Sequence, residues 1–229
     1  MKSPTVRGSV WFAAATAIIL LSSAPARAQI DTFVFNGHTY MLFASTDART
    51  WANAVTFAAG LSIAGQPGYL ARIDDAAEQA RIFQSIVANA AFLTSVAPDG
   101  GGGRYVWIGA NDITTEGDWR WHDNNTAFWS GGPTGSVVGG RYNNWASLPG
   151  GRTEPDNFAA GPTGQDAAGI SVNGYPLGSA GQWNDIATGN VLPFNVEFNA
   201  VPEPGAFALA SLGGAILFIS RWRRSRRRA

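Results

Sequence analysis

The central part of this 229-residue chain is predicted to be an α+β domain, on three observations. Two segments in its first half carry helical apolar spacing. Short aromatic and apolar runs stand before, between and after them. Residues 124–189 then lose that periodicity to Gly, Pro, Asn and Ser. The elements of such an α+β domain are two helices, several short strands and a long loop region.

The elements follow in order. "HTYMLFAS" at 38–45 is aromatic and apolar and reads as a strand. In "TWANAVTFAAGL", Thr50 is the expected N-cap, and Trp51, Ala54, Val55 and Ala58 fall at i, i+3, i+4 and i+7. This amphipathic helix should end near Gly60. "GYLARI" is a short strand, and "DDAAEQARIFQSIV" a second helix, with Asp75 and Glu78 at capping-box spacing and Ile82, Phe83, Ile86 and Val87 as its buried face. "YVWIGAND" and "DWRW" are strand-like runs separated by the turn "ITTEG". In "FNVEF", Phe194, Val196 and Phe198 alternate with Asn195 and Glu197, the pattern of a half-buried strand.

A loop region as long as 124–189 inside a compact domain is either functional or a misreading, with disorder as the alternative. Trp129, Tyr142, Trp145, Tyr175 and Trp183 supply anchors that a solvated linker would not need.

The ends differ from this body. Residues 1–28 hold Lys2 and Arg7, the apolar run "VWFAAATAIILL" and the small-residue pattern "APARA" ending at Ala28, which together read as a secretory signal peptide. Residues 201–229 join "VPEP", an apolar run from Gly205 to Ser220, and an Arg cluster. Sixteen helical residues span about 24 Å, a little short of a hydrocarbon core, and Trp222 with snorkelling arginines makes up the difference. This tail resembles the PEP-CTERM sorting signal. The resemblance implies recognition by an exosortase-type membrane protease, a transient membrane anchor, and delivery to the cell surface or extracellular matrix, often alongside exopolysaccharide production. Residues 29–200 remain as the domain.

The formal net charge of zero conceals an asymmetry. Three of the 16 basic residues lie in 1–28 and six in 201–229, so seven arginines face 15 acids in the body, a net charge of −8. Such a body disfavours nucleic acid and favours cations or neutral ligands. There is no cysteine, so an exported chain of this kind must rely on its core and on any bound metal.

In order along the chain, "TWANAVTFAA", "GYLARIDDAAEQ", "VWIGANDITTEGDWRW", "YNNW", "EPDN", "QWNDI" and "FNVEF" resemble a C-type lectin domain over about residues 33–199. Most specific are "WIGANDITTEGDWRW" and the ordered pair "EPDN" then "WND". The resemblance implies an α+β, C-type lectin-like fold with two helices flanking small antiparallel sheets and a long loop region, and it implies a calcium site. Calcium takes six to eight hard oxygen ligands at about 2.3–2.6 Å. Glu154, Asp156 and Asp185 would supply carboxylates, Asn184 an amide oxygen, and the Asp185 main chain a carbonyl; water or a sugar diol would complete the shell. The resemblance also implies a cis peptide before Pro155, while Trp183 reads as the core anchor that fixes Asn184 and Asp185.

Three departures from the family pattern bear on the ligand. Ionised Asp156 cannot donate a hydrogen bond as the usual Asn does, which leaves Asn157 as the candidate donor and removes any inference of mannose-type preference. Gln165-Asp166 replaces the usual Glu-Asp pair, so this possible additional metal position has one carboxylate fewer. Ala167 stands where the pattern has Cys.

Other polar groups carry plainer readings. "EPDN" is also compatible with a simple turn. Asp112, Glu116 and Asp118 crowd one turn and read as a solvated hairpin tip rather than a second cation site. His122-Asp123 has no nucleophile to complete a triad. "GGGGR" at 100–104 lacks the Lys-Ser/Thr of a phosphate loop. The expectation is a non-enzymatic, exported, calcium-dependent carbohydrate-binding module. The alternative is a structural or protein-binding matrix component on the same scaffold.

Overall fold

The structure, a computed structural model, describes residues 29–158 and 164–200. The expected signal peptide and sorting segment lie outside the described residues. Among the described residues, no helix is long and apolar enough to cross a membrane.

β1 (Gln29–Phe35) and β2 (His38–Phe43) form an antiparallel hairpin across Asn36-Gly37, where φ is +48° and +84°. Asn and Gly tolerate this left-handed pair best. β1 has no counterpart in the sequence reading because only Phe33 in it is buried, so no alternation shows. α1 (Trp51–Ala59) buries Trp51, Ala54 and Ala58 and stops at Gly60, as the spacing predicts. Thr50 occupies the N-cap position, but its side chain makes no capping bond.

β3 (Ser62–Ile63) and β4 (Gln66–Leu70) lead to α2 (Ala76–Ala88). Asp75 caps α2 by accepting from the Glu78 N–H at 2.8 Å. The Glu78 carboxylate reaches back to the Asp74 N–H at 2.7 Å, one residue upstream of the usual capping-box partner. Ile82 and Ile86 are buried and Phe83 partly so, but Val87 is exposed, contrary to expectation. It stands about 140° around the helix from Ile82. Gln79 and Ser85 complete the inner face instead.

β5 (Val96–Ala97) and the long β6 (Gly103–Asn111) follow, then β7 (Asp118–Trp121), β8 (Ala127–Ser130) and β9 (Ser136–Val137). β10 (Ser147–Leu148) and β11 (Gly151–Arg152) make a separate small ribbon. β12 (Ala167–Ser171), β13 (Trp183–Ile186) and β14 (Phe194–Phe198) close the chain's fold. The main sheet runs β1-β2-β14-β6-β7-β8-β9, with β4 added to β14 and β12 paired to both β6 and β13. Within "WIG", Gly109 is required: a Cβ there would sit 2.5 Å from the Leu70 carbonyl oxygen.

Two expectations need correction. β14 is not half-buried; all five of its residues are buried, because β2, β4 and β6 all pair with it. Glu197 is therefore an interior carboxylate. Residues 124–189 are likewise not one irregular loop, since β8 to β13 lie within them. β12 escaped sequence reading because its buried run, "AAGIS", has Ile170 as its single large apolar residue. Space is tight at Gly169, where a Cβ would lie 3.1 Å from the Cβ of Tyr105.

The aromatic anchors of that region form the core that holds it. Trp183 is fully buried with its ring edge-on to those of Trp121, Phe128, Tyr142 and Trp145, and its indole N–H donates to Gln79 Oε1 at 2.8 Å. Burial of such rings carries the hydrophobic stabilisation that a cysteine-free chain needs.

Candidate functional site

The site forms where β13 meets the 153–157 turn. β13 pairs with β12 through Gly169 opposite Asn184 and Ala168 opposite Asp185, which locks both polar residues in the interior. The turn is tied to the neighbouring segment by the Thr153 and Glu154 N–H groups, which donate to the Ala146 carbonyl at 2.9 and 3.3 Å. The Glu154–Pro155 peptide is cis, and Asn157 has φ +47°. The N–H groups of Asp156 and Asn157 donate to Asp185 Oδ1 and Oδ2 at 3.1 and 2.7 Å. The two acid-amide clusters are thus one structure.

Glu154, Asp156 and Asp185 each place a carboxylate oxygen within 4.8 Å of the others. Glu154 and Asp185 are buried; Asp156 is half-exposed. Glu154 Oε1 accepts from the Tyr175 hydroxyl at 2.9 Å, whereas its Oε2, although buried, has no protein donor. Asn184 gives its amide N–H to the Tyr105 hydroxyl at 3.0 Å, and Tyr105 in turn donates to the Gly100 carbonyl at 2.6 Å. That leaves Asn184 Oδ1 buried and unpartnered. Glu154, Asp156 and Asn184 line a cavity of about 150 Å³.

The electrostatics are those of a site in need of positive charge. Burial, then the facing carboxylates of Asp185 and Asp156, push the Glu154 carboxyl well above its ordinary range. Asp185 is also raised, by burial, against the two backbone N–H donors that favour its charged form. An unpartnered buried oxygen costs about 1–3 kcal/mol, a cost that coordination to a divalent cation would remove. The donor set, hard carboxylate and amide oxygen, suits calcium.

Gln165 and Asn157 have different work. Asn157 Oδ1 accepts from the Gln165 N–H at 2.8 Å, and Gln165 Oε1 accepts from the Phe158 N–H at 2.8 Å. Gln165 Nε2 donates to the Asp99 carbonyl at 3.1 Å. The amide of Gln165 is a tie between the 97–101 and 153–158 segments.

Asp166 belongs to a second cluster. Its carboxylate lies with those of Asp112 and Glu116, their nearest oxygens within 4.8 Å of one another. Asp112 is buried, keeps Oδ1 unpartnered, accepts from the Gly117 N–H at 2.8 Å, and is pushed up to about 7 chiefly by burial. The solvated-tip reading therefore fails for Asp112. Asp118, grouped with it by sequence, pairs with Arg120 Nε at 2.8 Å instead. Nothing local in the sequence connects Asp112 to Asp166; the link is the β6–β12 pairing, which sets Asn111 opposite Ala167.

The His122-Asp123 fragment is also spoken for. His122 lies edge-on to the Trp51 ring, and Asp123 pairs with Arg72.

No protein-family model matches the sequence. Over 126 residues, 54% of this chain, it is 32% identical to halomucin of Haloquadratum walsbyi, and the match spans 1% of that protein. In structure it is similar to the EPNH mutant of CEL-I, with TM-score 0.50 and 22% identity over 79% of this chain and all of that one. It is also similar to the C-type lectin CEL-I from Cucumaria echinata, with TM-score 0.49 and 23% identity over 78% and 99% of the two chains. The likeness to the first of these structures, together with two helices and a mixed sheet, gives the chain a C-type lectin-like fold.

Proposed function

We propose that this domain binds carbohydrate through a calcium ion held by Glu154, Asp156, Asn184 and Asp185. The observation that carries the reading is the pair of buried orphan oxygens, Glu154 Oε2 and Asn184 Oδ1, on two residues that line one cavity with Asp156, with the Glu154, Asp156 and Asp185 carboxylates clustered together. Protein groups satisfy the other sides of Glu154, Asn184 and Asp185, so these residues are oriented in advance. When bound, the cation supplies open coordination positions that two sugar hydroxyls can fill. Asn157, its amide oxygen already engaged, keeps an N–H₂ that a sugar hydroxyl can accept from. The domain acts as a binding module rather than an enzyme.

Export through the signal peptide, processing of the PEP-CTERM tail by an exosortase-type protease, and residence at the cell surface or in the matrix belong to the same reading. Mass spectrometry of the chain recovered from its host tests them by the masses of its mature ends. A glycan array run with calcium and with chelator tests the binding. Calcium-dependent signals lost in Asp185→Ala support it; signals indifferent to chelator refute it. A structural or protein-binding role draws support from Gln165, whose amide is a tie between segments where the family pattern has a carboxylate ligand. Calcium binding without any glycan signal would favour that role.

A further inference from the structure

The glycine run at 100–103 has no phosphate-loop signature, and the structure gives it a different use. It packs against the Tyr105 side chain. A Cβ on Gly100 would come within 2.8 Å of the Tyr105 ring and 3.3 Å of Asn184 Nδ2, and a Cβ on Gly103 within 2.7 Å of the Tyr105 hydroxyl oxygen. Glycine at both positions therefore lets the main chain close on the phenol. Tyr105 is fully buried and Asn184 nearly so.

The direction of the hydrogen bonds there follows from one proton. The Tyr105 hydroxyl oxygen lies 2.6 Å from the Gly100 carbonyl oxygen and 3.0 Å from Asn184 Nδ2. A carbonyl only accepts, and two oxygens at that separation need a proton between them, so the single hydroxyl proton points at Gly100. What the hydroxyl then offers Asn184 is a lone pair. Only an N–H can use it, so the amide turns its NH2 end to Tyr105. Reversed, the amide would set Oδ1 against a hydroxyl oxygen that has no proton left to share. An amide's two ends are told apart only by such a network, and here one main-chain carbonyl decides it. The end left over is Oδ1, buried and without a protein partner, on a residue that lines one cavity with Glu154 and Asp156.

We propose that the Gly100 carbonyl, acting through the Tyr105 hydroxyl, locks the Asn184 amide in the one orientation that offers an oxygen to a cation. The inference rests on the calcium reading of the site given above. Tyr105 is a positioning residue, and the glycine run supplies the carbonyl that directs its proton. Without the hydroxyl the amide is free to turn its NH2 end, which carries positive partial charge, towards the ion. Groups that orient a metal ligand from behind are worth about 10- to 100-fold in affinity.

The test is calcium calorimetry on the full-length chain, arranged as a double-mutant cycle. Tyr105→Phe should weaken calcium binding about 10- to 100-fold when residue 184 is Asn. In an Asn184→Asp background the same substitution should change it by no more than about twofold, because a carboxylate presents oxygen at both ends. A merely structural Tyr105 would cost the same in both backgrounds. That result overturns the proposal, as does a calcium affinity that Tyr105→Phe leaves unchanged. If Tyr105→Phe fails to fold, NMR of the metal-free native chain decides instead. A slowly exchanging Asn184 side-chain N–H with a nuclear Overhauser contact to Tyr105 supports the locked orientation; a freely exchanging amide without that contact overturns it and leaves the calcium site standing. No calcium binding by the native chain overturns the calcium reading and this role together.

Discussion

Two buried acidic regions of this molecule look alike in sequence and differ in what surrounds them. At the β14–α2 junction, Glu197 Oε1 accepts from His38 Nδ1 and the Tyr69 hydroxyl, both at 2.6 Å, and Oε2 accepts from the Arg72 N–H at 3.0 Å. Nearby, Glu78 Oε1 accepts from the Tyr40 hydroxyl and Oε2 from the Asp74 N–H. Every carboxylate oxygen there has a protein donor. Around β13 the acids are as deeply buried, yet Glu154 and Asn184 each retain an oxygen that the protein does not satisfy. The first arrangement is finished by the fold itself. The second is oriented by the fold but keeps unsatisfied oxygens, and under the calcium reading proposed above that contrast separates structural from functional carboxylates.

Removing the acids one at a time should break the comparison open. Glu197→Ala strands the Tyr69 hydroxyl, the Arg72 N–H and His38 and leaves a cavity, so unfolding free energy should drop by about 3 kcal/mol, equally with and without calcium. Chemical denaturation in both conditions measures this. Glu154→Gln should behave oppositely: it keeps an acceptor for Tyr175, relieves repulsion with Asp185 and Asp156, and stabilises the metal-free chain by up to about 1 kcal/mol while abolishing calcium binding. A calorimetric titration and a denaturation curve on the same sample give both numbers.

The pH dependence sharpens the same point. The folded-state proton affinity of Glu154 is raised above its ordinary value of 4.5, so the native state holds a proton that the unfolded state releases first. The metal-free chain should then lose stability as pH rises above 4.5, through the window that ends at the raised value, and regain it when calcium replaces the proton. Glu78 and Glu197 are raised too and give a background slope in the same direction. Glu154→Gln should flatten part of it, which melting temperatures at several pH values, with chelator, will show.

The smallest effect concerns Gln165. A Glu there would bring a carboxylate against Asp99 and still offer an acceptor to the Phe158 N–H, costing the metal-free chain roughly 1 kcal/mol. If that variant instead gains stability without metal, the amide is not the tie described here.

Much of the scaffold was legible because its signals are local. Trp51, Ala54 and Ala58 carry helical spacing within eight residues, and Asp75 caps α2 three residues before its partner Glu78. The first candidate site was legible because both halves are short motifs, "EPDN" and "WND", in chain order. What stayed hidden depends on pairing across the fold. β12 has one large apolar residue, Ile170, among small ones, so its burial becomes visible only once β6 and β13 flank it. Asp166 meets Asp112 and Glu116 through that same pairing, while Asp118, nearer in sequence, turns to Arg120. Glu197 looked solvent-facing because strand alternation cannot foresee β4 and β2 both packing on β14.

The central claim is that the orphan oxygens of Glu154 and Asn184 mark a calcium site, and thermal unfolding across a calcium titration tests it most directly. At a hundredfold excess over its dissociation constant, a native-state ligand adds about 2.7 kcal/mol, which corresponds to roughly 5–10 °C for a domain of this size. A saturable rise of that order, reversed by chelator and absent in Glu154→Gln, is the result predicted. A melting temperature indifferent to calcium and chelator in the native chain would contradict it.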